Sequence, residues 1–269
     1  KNKFNLKKLK KINLKKIKKL PWVLWQPLSQ IPNKPNSRIS DLFVWINTKN
    51  IITSYEFMDL PSLFQNNNSE EQSFFYLVLF NKNGNLIDKI KIDIHPKKRF
   101  TINFEKYLNN TDDEMGTFSI FHNKNPIEIQ KLNSFISDRG YVKYYLKNLD
   151  IYKYVHGNLD ALSYDDINIY NLGARSFFKR KYFIQCNLEK NATYKFYLVN
   201  YSKNKQKFSL YSLINNKLIS SIEINERGCE YFNYKCIDNN DVLYIKSKLV
   251  MSRPLIYVET NQDMDFFHG

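Results

Sequence analysis

The chain is predicted to be all-β: two tandem antiparallel β-sandwich domains related by an internal repeat and preceded by a basic N-terminal helix or tail. Three observations carry that expectation. Apolar and polar residues alternate at a period of two through most of residues 42–258, the spacing of half-buried strands. Aromatics make up 16% of the residues, led by 20 Phe and 19 Tyr, which favour pleated surfaces and argue against disorder. Finally, three segments recur in order. Leu86-Ile-Asp-Lys-Ile-Lys-Ile92 matches Leu218-Ile-Ser-Ser-Ile-Glu-Ile224, Ile102-Asn-Phe104 matches Phe232-Asn-Tyr234, and Thr117–Phe121 stands where Val242–Lys246 stands.

The first 37 residues read as a basic tail and a Pro-rich linker. Asn5–Ile12 and Asn13–Leu20 are two copies of one octad, in which Leu6, Leu9, Ile17 and Leu20 share a helical face opposite most of the lysines. Such a stretch is either a membrane-surface or partner-binding helix or a solvated basic tail. Pro21, Pro27, Pro32 and Pro35 then exclude a regular element, with Trp22 and Trp25 among them as surface pins or a sugar platform.

Residues 38–148 form the first expected sandwich, with strands at Leu42–Ile46, Phe75–Phe80, Leu86–Ile94, Phe100–Phe104 and Thr117–Phe121. Gly84 supplies the positive φ of the hairpin loop after Asn81. A connecting segment covers 149–156. The second sandwich, 157–269, carries strands at Tyr182–Cys186, Tyr194–Val199, Phe208–Ile214, Leu218–Ile224, Tyr231–Tyr234, Val242–Ile245 and Leu255–Val258.

Charge and cysteine narrow the function classes. The net charge is +15, but ten lysines lie in residues 1–19 with no acid among them, leaving +5 for the rest. That distribution belongs to a tail rather than to a folded nucleic-acid groove. Cys186, Cys229 and Cys236 have no paired spacing and read as buried thiols in a reducing compartment. No run of eighteen apolar residues is present, so the expected location is cytoplasmic, with a peripheral membrane contact through residues 1–20. The chain does not begin with Met, so an additional preceding segment is left open.

Nucleotide, dinucleotide and serine-hydrolase signatures are absent, as is a zinc-protease His pair. What remains is a polar set around the centre of the chain. The expected binding residues are His122, Asp138, Arg139, Tyr141, His156, Asn158, Asp160 and Arg253. His156, Asn158 and Asp160 alternate, so an extended backbone would aim them one way. The bland reading is a loop stabilised by its own Asn and Asp side chains, with Asp138–Arg139 as an ion pair at a corner. No cofactor is expected; a divalent metal held by His156, His268 and Asp265, or Asp160 in its place, is the exception considered. Tyr141, Tyr144, Tyr145, Tyr152 and Tyr154 read first as core and sheet-face residues and second as sugar-stacking ones.

Two resemblances enter here. Residues 193–259, with Asn200 closing a strand, Tyr244-Ile-Lys-Ser and Arg253-Pro-Leu-Ile-Tyr-Val, resemble the small β-sandwich of the bacterial sensory rhodopsin transducer family. That covers about a quarter of the chain and includes no catalytic motif. The longer pattern is similar to uncharacterised bacterial tandem β-sandwich proteins of surface-polysaccharide gene neighbourhoods. It is carried by Gly116–His122, Ser137–Tyr141, Tyr154–Ala161 and Ser252–Pro254. Neither resemblance supplies an activity; the expected function is a non-enzymatic binding or scaffold module associated with surface-polysaccharide assembly, with a protein or glycan partner. The rivals are a metal-assisted enzyme with a His/Asp site between the halves, and a membrane or nucleic-acid binder acting through the tail. Exposed sheet edges admit a homo-oligomer.

Overall fold

The computed structural model describes residues 30–269 apart from 33, 35, 60–72, 96–98, 109–110, 124–134, 136, 139, 158, 239–240 and 261–262. The expected basic helix or tail at the N-terminus lies outside the described residues. Among the described residues there is no α-helix, hence none long and apolar enough to cross a membrane. A 3-10 turn forms among them at Phe104–Tyr107, where the Asn103 side chain accepts from the Glu105 amide.

Among the described residues twenty strands follow one another. The first ten are β1 (Arg38–Ser40), β2 (Phe43–Ile46), β3 (Ile51–Met58), β4 (Ser73–Asn81), β5 (Leu86–Ile94), β6 (Arg99–Asn103), β7 (Met115–His122), β8 (Ser137–Asp138), β9 (Tyr141–Leu146) and β10 (Ile151–His156). Then come β11 (Leu162–Tyr164), β12 (Ile169–Asn171), β13 (Arg175–Phe183), β14 (Thr193–Val199), β15 (Gln206–Ser212), β16 (Leu218–Ile224), β17 (Cys229–Lys235), β18 (Leu243–Leu249), β19 (Leu255–Glu259) and β20 (Met264–His268).

They build five four-stranded sheets: β2-β7-β4-β5, β10-β9-β3-β6, β13-β18-β15-β16, β17-β14-β19-β20 and β12-β11-β1-β8. Strand order recurs between the first and third sheets, and between the second and fourth. The three sequence matches fall on the pairs β5/β16, β6/β17 and β7/β18. The fifth sheet has no counterpart. It draws strands from residues 38–40, 137–138, 162–164 and 169–171, and its β1–β8 pairing is parallel.

Five four-stranded sheets are the sheet composition of a five-bladed β-propeller, and the expectation of two tandem β-sandwich domains is corrected accordingly. Each sheet joins one hairpin of consecutive strands (β4–β5, β9–β10, β15–β16, β19–β20 or β11–β12) to strands from elsewhere in the chain. The packing explains why the sandwich reading fails. A sandwich buries one face of each sheet, whereas β4 buries both. Its Phe75, Leu77 and Leu79 enter one core cluster, and its Val78 and Phe80 enter the other. β14 does the same with Tyr197 on one side and Tyr194, Phe196 and Leu198 on the other. The first cluster, largely of residues 43–155, also holds Leu255, Tyr257 and Phe266; the second, largely of residues 159–256, holds Leu42, Val78 and Phe121. Tyr144 of β9 stacks on Phe266 of β20 at 4.2 Å between centroids and donates to the Val44 carbonyl at 2.8 Å, so aromatic packing joins early and late strands.

Candidate functional site

The structure brings some of the expected residues together and separates others. His156 ends β10 and His268 ends β20, and their rings meet edge to face at 5.4 Å. His268 donates from Nε2 to the His156 carbonyl, and His156 donates from Nδ1 to the Gly157 carbonyl. Arg253 lines the same narrow cleft and donates from Nε to the Gly269 carbonyl at 3.0 Å. Gly157 is needed here because a Cβ would lie 1.5 Å from Asp41 Oδ2, while Asp41 Oδ1 accepts from the Leu159 amide at 3.2 Å. The cleft holds about 50 Å³, room for a water or two and too little for a sugar. These polar groups act as a clasp between β10 and β20.

Burial disfavours the charged His268 ring and lowers its pKa, with the His156 carbonyl pulling the other way. A folded-state value below the unfolded one makes stability fully present above the unfolded pKa, about 6.5, and progressively lost as pH falls toward the folded value. The expected outcome is a urea midpoint that falls from about pH 7 to about pH 5, with a shallower fall in His268→Gln. An unchanged slope in that variant would remove His268 from the account.

The remaining expected residues lie elsewhere. His122 is buried at the end of β7, its ring 6.4 Å from Phe75. Asp138 pairs with Ser40 in the fifth sheet, and Asp160 is half-buried. Arg139 and Asn158 fall outside the described residues. Asp265 reaches Lys153 at 3.3 Å, and its spacing of three from His268 on β20 sets the two on opposite faces. Among the described residues no group of three His, Cys, Asp or Glu side chains could hold a metal ion. His156 and His268 are therefore paired without the third ligand the expected set requires.

The larger candidate is the outer face of β10-β9-β3-β6. Cross-strand register places Tyr141, Lys143 and Tyr145 of β9 opposite His156, Tyr154 and Tyr152 of β10, with Glu56 of β3 beside Tyr141. Tyr141, Tyr152 and Tyr154 remain 55%, 50% and 48% exposed, high values for side chains of this size. Tyr145 stacks on Tyr152 at 4.7 Å and donates to Asp150 at 2.7 Å. Lys143 Nζ lies 4.0 Å from the Tyr152 ring centroid and 3.2 Å from Glu56 Oε1, and Arg99 closes on the other Glu56 oxygen. Burial alone would raise the Glu56 carboxyl, but the hydrogen bonds from Arg99 and Lys143 prevail and hold it below its ordinary range. The Glu56 carboxylate therefore stays ionised near neutral pH.

A groove of about 400 Å³ runs along this face beside Glu56, Arg99, Tyr141 and Tyr154. Gly140 makes it by bringing the chain against β3. A Cβ there would lie 2.3 Å from the Glu56 carbonyl, and the Gly140 amide donates to Tyr55 Oη at 2.6 Å. Flat rings beside fixed charges offer an apolar stacking surface and polar anchors at once. The signal for it is present in the alternation of Tyr-Val-Lys-Tyr-Tyr-Leu and Ile-Tyr-Lys-Tyr-Val-His, which puts Tyr141, Tyr145, Tyr152 and Tyr154 on one face. Tyr144 is the exception that faces inward and is buried.

No protein-family model matches the sequence, and no curated protein matches it. The expected resemblances to the sensory rhodopsin transducer sandwich and to tandem β-sandwich proteins are corrected by the five-sheet architecture. They rested on short residue stretches and on the order of strands, which leave sheet membership undetermined. Among solved structures the chain is similar to the pilus backbone (RrgB) from Streptococcus pneumoniae at 6% identity, over 84% of this chain and 76% of that one, with a TM-score of 0.19. At that score nothing is carried across.

Proposed function

We propose that the protein is a non-enzymatic glycan-binding module acting through the outer face of β10-β9-β3-β6. An all-β scaffold of this kind is consistent with a binding or scaffold role. The observation that supports the glycan reading is the row of Tyr141, Tyr152 and Tyr154, each about half exposed, beside the Lys143–Glu56–Arg99 cluster. Rings held open on a sheet offer their faces to the apolar side of a sugar, while the fixed charges reach hydroxyl or acidic groups. A bacterial surface polysaccharide is the ligand class this reading points to, with its assembly as the setting.

The test is a screen of the full chain against bacterial polysaccharide fragments, followed by titration of any hit. Tyr152→Ala and Tyr154→Ala should each weaken binding by up to about tenfold, the scale of an aromatic contact of about 0.5–1.5 kcal/mol. Half-exposed positions of this kind should change stability by less than about 1 kcal/mol, so folding and binding effects separate. Binding that ignores the Tyr141/Tyr152/Tyr154 triple replacement, or no hit at all, would defeat the proposal.

A further inference from the structure

The edge strand β13 of the sheet β13-β18-β15-β16 reads Arg-Ser-Phe-Phe-Lys-Arg-Lys-Tyr-Phe. On it Phe177 and Phe178 are 81% and 75% exposed, more than any other aromatic among the described residues. The register shows why they stand out. Arg175 pairs with Leu249 and Arg180 with Ser247, so residues 176–179 have Lys248 alone across from them. Surplus chain of that length leaves the ladder. It carries the two rings out together, edge to face at 5.0 Å.

Positive charge flanks the rings. β13 holds Arg175, Lys179, Arg180 and Lys181, β18 holds Lys246 and Lys248, and neither strand contains an acid. None of the six forms an ion pair with a described residue. Lys181 and Lys246 are directly opposed in the ladder, a repulsion within the fold that an anionic partner would relieve. Basic residues on an edge strand keep copies of a chain from pairing. That accounts for the charge but not for two phenylalanines held in water. A second copy would bring the same charge to the contact, so charge complementarity disfavours a dimer through this element. A projecting apolar tip between cations matches an anionic bilayer: rings enter the acyl boundary while ammonium and guanidinium groups stay at the headgroups.

We infer that the bulge of β13 docks the protein on an anionic lipid bilayer. Phe177 and Phe178 are its inserting residues, and the basic residues of β13 and β18 are its headgroup contacts. This surface is separate from the tyrosine face and does not depend on the glycan reading.

The experiment is co-sedimentation of the full chain with vesicles of phosphatidylcholine alone and of phosphatidylcholine mixed with phosphatidylglycerol. The expected result is binding to the mixed vesicles only, weakening as salt rises. Replacing both phenylalanines, Phe177→Ser with Phe178→Ser, should weaken it at least about tenfold. The thermal midpoint should stay unchanged, because both side chains already face water. Lys179→Gln and Lys248→Gln, both at exposed positions, should each weaken binding about fivefold, the scale of one basic residue near an anionic surface. Tyr152→Ala should change nothing, which keeps this surface distinguishable from the tyrosine face. Vesicle binding that survives the double phenylalanine replacement at full strength would assign it to another part of the chain, such as residues 1–20, and overturn the inference. Equal binding to phosphatidylcholine alone would overturn it too. So would binding of a single-stranded oligonucleotide without any binding of vesicles, which would assign the basic strands to a nucleic acid.

Discussion

Replacing Trp45 with Ala should cost about 3–5 kcal/mol of stability. Trp45 is fully buried in β2 and belongs to the first core cluster. Its indole Nε1 donates to the Phe80 carbonyl at 3.0 Å, so truncation removes a large apolar surface and a hydrogen bond together. The ring also rests directly on Gly116, where a Cβ would meet Trp45 Cζ2 at 2.5 Å and the Phe80 carbonyl at 2.2 Å. Gly116→Ala should therefore be strongly destabilising in its own right. The double variant tests the geometry: vacating the indole relieves the ring clash but not the carbonyl clash, so rescue should be partial. Trp45→Phe should fall between, retaining ring volume without the donor. The measurement is a urea midpoint shift at unchanged slope. A loss below about 1 kcal/mol for Trp45→Ala would show that the site collapses easily, contrary to the tight packing described.

How much of this was legible depends on what kind of information each feature needs. Strands such as β5, β6 and β16 follow from local alternation, and the recurring triplet of segments lands on corresponding strands because it records the same facing pattern twice. Sheet membership is not local. Phe75–Phe80 is a continuous apolar run, compatible with a strand covered on one face or on both, and only the tertiary fold reveals two cores meeting through it. β3 was missed because Thr53 and Ser54 interrupt its apolar pattern. Thr53 is in fact buried, exchanging hydrogen bonds with the Ile46 backbone. The strands of the fifth sheet are two or three residues long, too short for a period to register.

The site divides in the same way. His156 and His268 are 112 residues apart, and no spacing rule joins them. Tyr141, Tyr152 and Tyr154 read from the sequence first as core and sheet-face residues and second as sugar-stacking ones, because whether their face meets another sheet or solvent is a property of the packing.

Gly84→Val should be comparably damaging, by about 3 kcal/mol or more, and its form of unfolding tells what the two cores are. Gly84 has φ +83°, and a Cβ there would lie 1.9 Å from the Glu226 carbonyl and 2.8 Å from the Gly228 amide nitrogen. A β-branched residue is both strained at that φ and excluded by backbone that cannot rotate away. The contact is the corner where the β4–β5 turn meets the β16–β17 turn. Cys229 donates from its amide to the Lys82 carbonyl at 3.0 Å, Lys82 reaches Glu230 at 2.7 Å, and Thr117 donates to the Arg227 carbonyl. Arg227 extends the same corner to Asn171 of the fifth sheet and lies 5.5 Å from the Phe80 ring centroid. If the chain were two self-sufficient units, breaking this corner would leave each to melt alone, and denaturation would split into two transitions. Each core cluster, however, takes buried residues from both parts of the chain, so opening the corner exposes apolar surface in both at once. The expected result is one cooperative transition at lower urea, coincident by fluorescence and by circular dichroism. Two separated transitions would instead show that Phe80, Tyr197 and their neighbours decorate a contact between independent units rather than hold a shared core.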